Sequence, residues 1–215
     1  RSPVPTFHPE YIHNGTESEL LITEDSSEVW VTFIHEGAGH RNSFGYFTYT
    51  DGIPPASASA LDLIPIFSNA SYKNSGGGLY TGNTVSIGTF SKNTRIGFWV
   101  VANGWSGNSI DWNKPTYYST PDFNPESTDS ERRHLASLYH PDYDIVVLAF
   151  EDLNRSSPSC DNDFNDIIFT VSWNPVTAVD INALHNVPGE VDTDSDGITD
   201  NNDDYPTDPD KAFNI

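Results

Sequence analysis

The chain has 215 residues, room for one sizeable β domain or one domain with a small appendage. Ten Lys and Arg against 31 Asp and Glu leave a net charge of −21 and a pI near 4.3. That balance argues against nucleic acid and against docking on anionic lipid, since both need cationic side chains to meet phosphate.

Disorder is the next class to test, because high net charge with low hydropathy is its signature. Yet 36% apolar and 13% aromatic residues are enough to build a core. No stretch approaches the roughly 18 apolar residues of a membrane span, so direct membrane insertion is not expected. The chain lacks Met and opens on Arg1, and is expected to be a processed or excised piece without its targeting signals. A lone cysteine, Cys160, forbids a disulfide within the chain.

In chain order, residues 1–19 read as an extended, proline-bound segment, a linker or a strand awaiting a partner. Short β-branched and aromatic runs then predict strands at 20–24, 28–35, 44–50, 61–67, 84–90, 94–102, 134–139, 144–151 and 166–173. Val29, Val31 and Phe33 alternate with Trp30, Thr32 and Ile34, as in a strand with both faces at least partly covered. Ile145–Phe150 and Ile167–Val171 are nearly continuous apolar runs and belong centrally in a sheet. Ser130–Leu138 is a weak helix candidate. Ser71–Gly82 reads as a flexible hairpin tip. The long loop Asn103–Glu131 carries Trp105, Trp112, Tyr117, Tyr118 and Phe123 among polar residues, unusual for a loop of that length. The pattern predicts an all-β fold, a two-sheet, jelly-roll-like β-sandwich over 20–174. A connector over 175–190 and an irregular, Asp-rich tail over 191–215 follow.

The acids are clustered. Residues 151–166 hold five carboxylates and 192–210 hold eight aspartates, together 13 of the 31. In the tail, Asp192, Asp194, Asp196, Gly197, Asp200 and Asp203 occupy positions 1, 3, 5, 6, 9 and 12 of a twelve-residue calcium loop. The carbonyl of Ile198 supplies position 7. Alternate residues of a turning loop point oxygens at a hard cation that takes six to eight of them. A disordered acidic tail would not alternate its aspartates so strictly. Pro188 and Gly189 before the loop, and Pro206 and Pro209 after it, exclude the flanking helices of an EF-hand. The segment is similar to a thrombospondin type 3 repeat, with Tyr205 where that family usually has cysteine. Asp203, Asp204, Asp208 and Asp210 are candidates for a second ion.

The other window is Phe150-Glu151-Asp152-Leu153 followed by Asp161-Asn162-Asp163-Phe164-Asn165-Asp166. Two neighbouring strands would deliver Glu151, Asp152, Asp161, Asp163, Asn165 and Asp166 to one rim, anchored by Phe164 and Ile167. Without a cation these carboxylates crowd and raise each other's pKa; a calcium ion removes the conflict. The blander alternative is an acidic rim neutralised by solvent and Arg155.

Phe150–Leu153 with Asp161–Phe169 resembles the signature of the DUF4114 family, and His35–Tyr46 is similar to that family's early strand–turn–strand motif. Residues Asp192–Phe213 resemble the tail of LruC-domain proteins. The resemblance implies a secreted or surface-exposed bacterial protein, a β-sandwich and calcium. Such modules occur as ligand-binding domains of large adhesins.

His35-Glu36-x-x-x-His40 is not a zinc-protease motif, which needs histidines four apart on a helix. Glu36 and Asn42 are instead candidates to lend oxygens to a calcium or ligand site near the rim. The loop bearing Trp105, Trp112 and Tyr118 is either a binding platform or a lid, with the sequence favouring neither. Seven histidines lack zinc spacing, and three glycosylation sequons, at Asn14, Asn69 and Asn154, match chance in an Asn/Ser-rich chain.

The resulting expectation is a non-catalytic, calcium-binding extracellular or cell-surface module binding two or more Ca2+ ions, an adhesin domain or a fibre subunit. A peptide or glycan ligand, and self-assembly by addition of the N-terminal strand to a neighbour's sheet, are the expected partners. The alternative is a secreted polysaccharide hydrolase, or a glycan-binding module, using the acidic rim and the Trp-rich loop.

Overall fold

The computed structural model describes residues 18–186 together with Tyr205, Thr207 and Asp208. Eleven strands run through it: β1 Leu20–Leu21, β2 Ser27–Glu36, β3 Ser43–Thr50, β4 Ile64–Phe67, β5 Thr84–Phe90 and β6 Thr94–Val101, then β7 Thr116–Tyr118, β8 Leu135–His140, β9 Ile145–Phe150, β10 Ile167–Asn174 and β11 His185–Asn186. Strand β6 pairs with β3 on one side and with β1 and β7 on the other, and β4 closes the far side of β3. The second sheet runs β11-β8-β9-β10-β2-β5. Its central strands are the two continuous apolar runs, as their lack of a polar face requires.

The two sheets share one core, so the architecture is a β-sandwich. Alternate residues of each strand face inward: Phe44 and Tyr46 of β3 and Ile96, Phe98 and Val100 of β6 meet Val29, Val31 and Phe33 of β2 and Phe169 and Val171 of β10. Phe169 lies at the centre. Its ring stacks on Phe44 at 3.9 Å and on Phe67 at 5.7 Å, with Phe33 edge-on at 5.9 Å. Dispersion and apolar burial make such a cluster the main stabilising element of the sandwich.

Both outer faces are partly covered. On the five-stranded sheet, Phe47, Trp99 and Val101 form a cluster joined by Tyr49, Leu61, Leu63, Ile110 and Tyr118. The Asn103–Glu131 loop therefore folds back as cover, and it contributes β7, a strand its polar composition conceals. On the six-stranded sheet, Ala136, Ala149, Phe164 and Ile168 make a smaller cluster.

Several elements differ from expectation. Ser130–Leu138 holds no helix; its second half is β8, because Leu135, Ala136 and Leu138 are buried between neighbouring strands. The stretch predicted as strand 61–67 pairs only from Ile64, and 20–24 only over Leu20–Leu21. The connector begins as part of the sandwich: Ala178, Val179 and Leu184 are in the core, and Val179 bridges Ile22.

By contact density the chain divides into Arg1–His185 and Asn186–Ile215. In the second unit, the amides of Thr207 and Asp208 both donate to the carbonyl of Tyr205. The expected tail ligands Asp192, Asp194, Asp196, Ile198, Asp200, Asp203 and Asp210 lie outside the described residues, as does the N-terminal segment before Ser18. Among the described residues no helix is long and apolar enough to cross a membrane.

Replacing Phe169 by Ala should remove about 3–5 kcal/mol of unfolding free energy, the usual loss for a buried ring that leaves a cavity. Urea denaturation checks this, with an unchanged slope expected if the denatured state is unaltered.

Candidate metal centre

The rim is built where the β9–β10 ladder ends. Its last cross-strand pair is Ile167–Phe150, and β2 joins on the other side through Ile167–Glu36. One step further out, the chain places Glu151 and Asp152 after β9 and Asp166 before β10. Like charges facing each other across strands destabilise a sheet, so this corner is unfavourable unless something neutralises it.

Among the described residues, two sets of three acids each offer carboxylate oxygens within 4.8 Å of one another: Glu151, Asp161 and Asp163, and Glu151, Asp152 and Asp166. Glu151 belongs to both. Asn165 stands beside the first set: its amide nitrogen donates to Asp163 Oδ2, and its backbone N–H donates to Asp163 Oδ1 at 3.1 Å. It is a brace for Asp163.

The loop carrying Asp161 and Asp163 turns sharply. Asn162 and Phe164 both adopt left-handed backbone, with φ of 58° and 55°. For a bulky residue that conformation costs about 1–2 kcal/mol. The Phe164 ring offsets it by full burial against Ala149 and Ile168, with the Arg155 guanidinium 4.8 Å above its face. Phe164 therefore anchors the rim on the outer cluster, while Ile167 anchors it in the main core.

Gly37, at the end of β2, closes the other side. Its N–H reaches the carbonyls of Asn165 and Asp166 at 3.1 and 3.2 Å, and a Cβ there would stand 2.5 Å from Asn165 Oδ1. Only glycine permits so close an approach. Asn42 bridges from β3: Nδ2 donates to Asp152 Oδ2 at 2.6 Å, and Oδ1 accepts from the Asn103 N–H at 2.8 Å. Its oxygen is thus committed, and it orients Asp152. Glu36 turns to the 71–82 loop, accepting from the Tyr72 N–H and the Ser75 hydroxyl, both at 3.3 Å.

Beneath Glu151 lies a pair the sequence did not single out. The His134 carbonyl accepts from the Glu151 N–H at 3.0 Å, and His134 Nδ1 donates to the Glu151 carbonyl at 2.9 Å. His134 Nε2 meets Glu126 Oε1 at 3.0 Å, and Tyr117 stacks on the imidazole at 3.9 Å. Two backbone bonds to one fully buried residue fix where the Glu151 side chain begins.

Among the described residues, no arginine or lysine forms an ion pair with the cluster. Arg155 gives its donors to Asn162 Oδ1 at 2.8 Å and to the carbonyls of Ser130 and Arg133. His40 Nδ1 lies 3.3 Å from Asp152 Oδ1. Burial, then mutual charge, accordingly raises the acids. Asp166 is pushed up to about 9 by desolvation and by the charges of Asp152 and Glu151. Desolvation also raises Glu151, Asp152, Asp163 and Glu36. The neighbouring Tyr117 and Cys160 are each driven to about 12 by burial and by the same negative field.

The decisive atom is Glu151 Oε2. Glu151 is 0% exposed, and this oxygen has no hydrogen-bond partner. A buried carboxylate oxygen so left is costly unless a cation or proton meets it. The donor set is entirely carboxylate oxygen, which suits a hard divalent ion. Oxygens 4.8 Å apart can touch one ion whose bonds are about 2.4 Å long.

Of the proposed ligand-binding residues, Tyr118 packs edge-on to Phe123 and joins the outer cluster, and Trp112 leans on Trp99 at 5.1 Å while staying 48% exposed. Trp105 bridges Ile110 within its own loop.

Because Asp166 holds its proton far above the unfolded carboxylate range, the ion-free protein should lose stability as pH rises from about 4 through about 9. At pH 7 a divalent ion must expel that proton, so calorimetry in buffers of different ionisation enthalpy should show net proton release on binding. Gly37→Ala should displace Asn165 and weaken ion binding at least tenfold, read by the same titration.

No curated protein matches the chain. A family model does match residues 90–174, from the end of β5 through β10, a stretch that contains every acid of both sets. The matching model is that of DUF4114, described as a domain of unknown function.

Proposed function

We propose that the sandwich is a non-catalytic, calcium-binding module that works outside the cell, in adhesion or in assembly of a surface fibre. The observation that carries the reading is the fully buried Glu151 with an orphaned oxygen in a cluster of acids that, among the described residues, has no arginine or lysine ion-paired to it. Calcium suits it better than magnesium. Magnesium demands near-ideal octahedral geometry and keeps its water, whereas carboxylates from two loops and a strand end form an irregular set. Calcium modules with sub-millimolar affinity are typical of extracellular proteins, which motivates the location.

In this reading the ion's role is to lock the rim. Two loops with little apolar content of their own, Asn154–Cys160 and Asp161–Asp166, become rigid when their charges are bridged. A rigid rim can then hold a peptide or glycan, and the half-exposed face of Trp112 is an aromatic surface on which a sugar ring can stack. For assembly, β5 is the last strand of its sheet, and the N-terminal segment of a neighbouring copy is the proposed addition.

One observation favours the hydrolase alternative: an acid raised to about 9 resembles a general acid kept protonated. Against it, Asp166 Oδ2 already accepts from the Asp152 N–H at 2.8 Å. The bond fixes this carboxyl within the acidic corner.

Removing calcium with EGTA should lower the melting temperature by about 5–10 °C, from about 2.7 kcal/mol of binding linkage at 100 times the Kd and the usual response of a domain this size. Asp163→Ala should reduce both the calcium-induced gain and the ion count without creating or abolishing turnover. Loss of activity on a glycan panel, with folding and ion count intact, would sink the reading.

A further inference from the structure

The two acid sets share a single residue. Asp161 and Asp163, from the loop before β10, lie close to Glu151 in one set, while Asp152 and Asp166 lie close to it in the other. Asp161 and Asp163 do not fall with Asp152 and Asp166 into one set of mutually close oxygens. One ion therefore cannot satisfy all five carboxylates at calcium–oxygen distances, whereas two ions can.

We infer that the rim is a dinuclear site in which Glu151 bridges two divalent cations, an inner ion on Asp152 and Asp166 and an outer ion on Asp161 and Asp163. This rests on the calcium reading above and adds the number of ions and the division of labour among the acids. Charge supports it: five carboxylates against one divalent ion would leave three negative charges in a corner that excludes water from Glu151, whereas two ions leave one. The surroundings fit as well. The Glu151 backbone is pinned through both its N–H and its carbonyl by His134, so its side chain is held on the boundary between the sets. The inner set is braced by buried groups, since Asn42 holds Asp152 and the Asp152 N–H holds Asp166. The outer set is held only by Asn165 and by the turn at Phe164, and Asp161 is exposed.

The sharing predicts how ion counts change in the full chain, whatever the aspartate-rich tail contributes, because only differences from the wild type matter. Calcium bound per chain is counted by equilibrium dialysis at fixed free Ca2+. Asp161→Asn should lose one ion, Asp166→Asn should lose a different one, and the double variant should lose two. Glu151→Gln, isosteric with the native residue, should lose both at once. Because Glu151 is buried and its variant can fail to fold, the exposed Asp161→Asn and the double variant decide independently. A double variant that loses only one ion would overturn the dinuclear site while leaving the single-ion calcium reading standing. An unchanged count in every variant would remove both.

Discussion

The structure turns on an electrostatic conflict at the end of one β-ladder. Two unit charges 4.8 Å apart repel by about 3.5 kcal/mol at an effective dielectric constant of 20, and the rim holds several such pairs, with Glu151 in each set. The sandwich tolerates this because its core lies elsewhere: the aromatic stack around Phe169 sits between the sheets and does not need the rim to be ordered. The conflict is therefore local. It raises the proton affinity of Asp166 and its neighbours, and it makes the corner a receptor for positive charge.

What makes a crowded corner a candidate ion site is the way the fold withholds its own cations. Arg155 is close enough to feel Glu151, yet its guanidinium is tied to Asn162 and to two backbone carbonyls. It organises the loops and leaves the carboxylates unpaired. His134, Asn42 and Gly37 likewise fix backbone or a carboxylate through hydrogen bonds, with Glu126 holding His134. Replacing such a mesh by one salt bridge would quiet the repulsion and remove the candidate site.

Much of this was legible in the sequence, for physical reasons. The central strands β9 and β10 announce themselves because a strand buried on both faces must be apolar throughout, and the acids stand out because they interrupt those runs at their ends. The spacing of Glu151, Asp152, Asp161, Asp163 and Asp166 was enough to place them on one rim. The supports were not readable. Gly37 looks like any turn glycine until Asn165 is packed against it, and the bonds from His134 to Glu151 depend on a strand pairing that no local pattern encodes. The strand predicted at 134–139 is β8, and the weak helix candidate over Ser130–Leu138 arose because charged residues precede its apolar run, mimicking an amphipathic helix. β7 was hidden because a three-residue strand inside a polar loop carries no periodicity.

The two halves of the rim also differ in how they meet solvent, and that difference decides what can substitute for a bound ion. Around Asp161, which is exposed, dissolved salt screens repulsion over a Debye length of about 8 Å at physiological ionic strength. Around Glu151 and Asp152, which are 0% and 3% exposed, mobile counterions have no access. Only a group that enters the corner, a proton or a desolvated cation, relieves the inner carboxylates. Monovalent salt therefore softens the outer half and leaves the inner half unsatisfied. The inner oxygens converge only when β9 and β10 are paired, so an ion held there would be tied to the folded state.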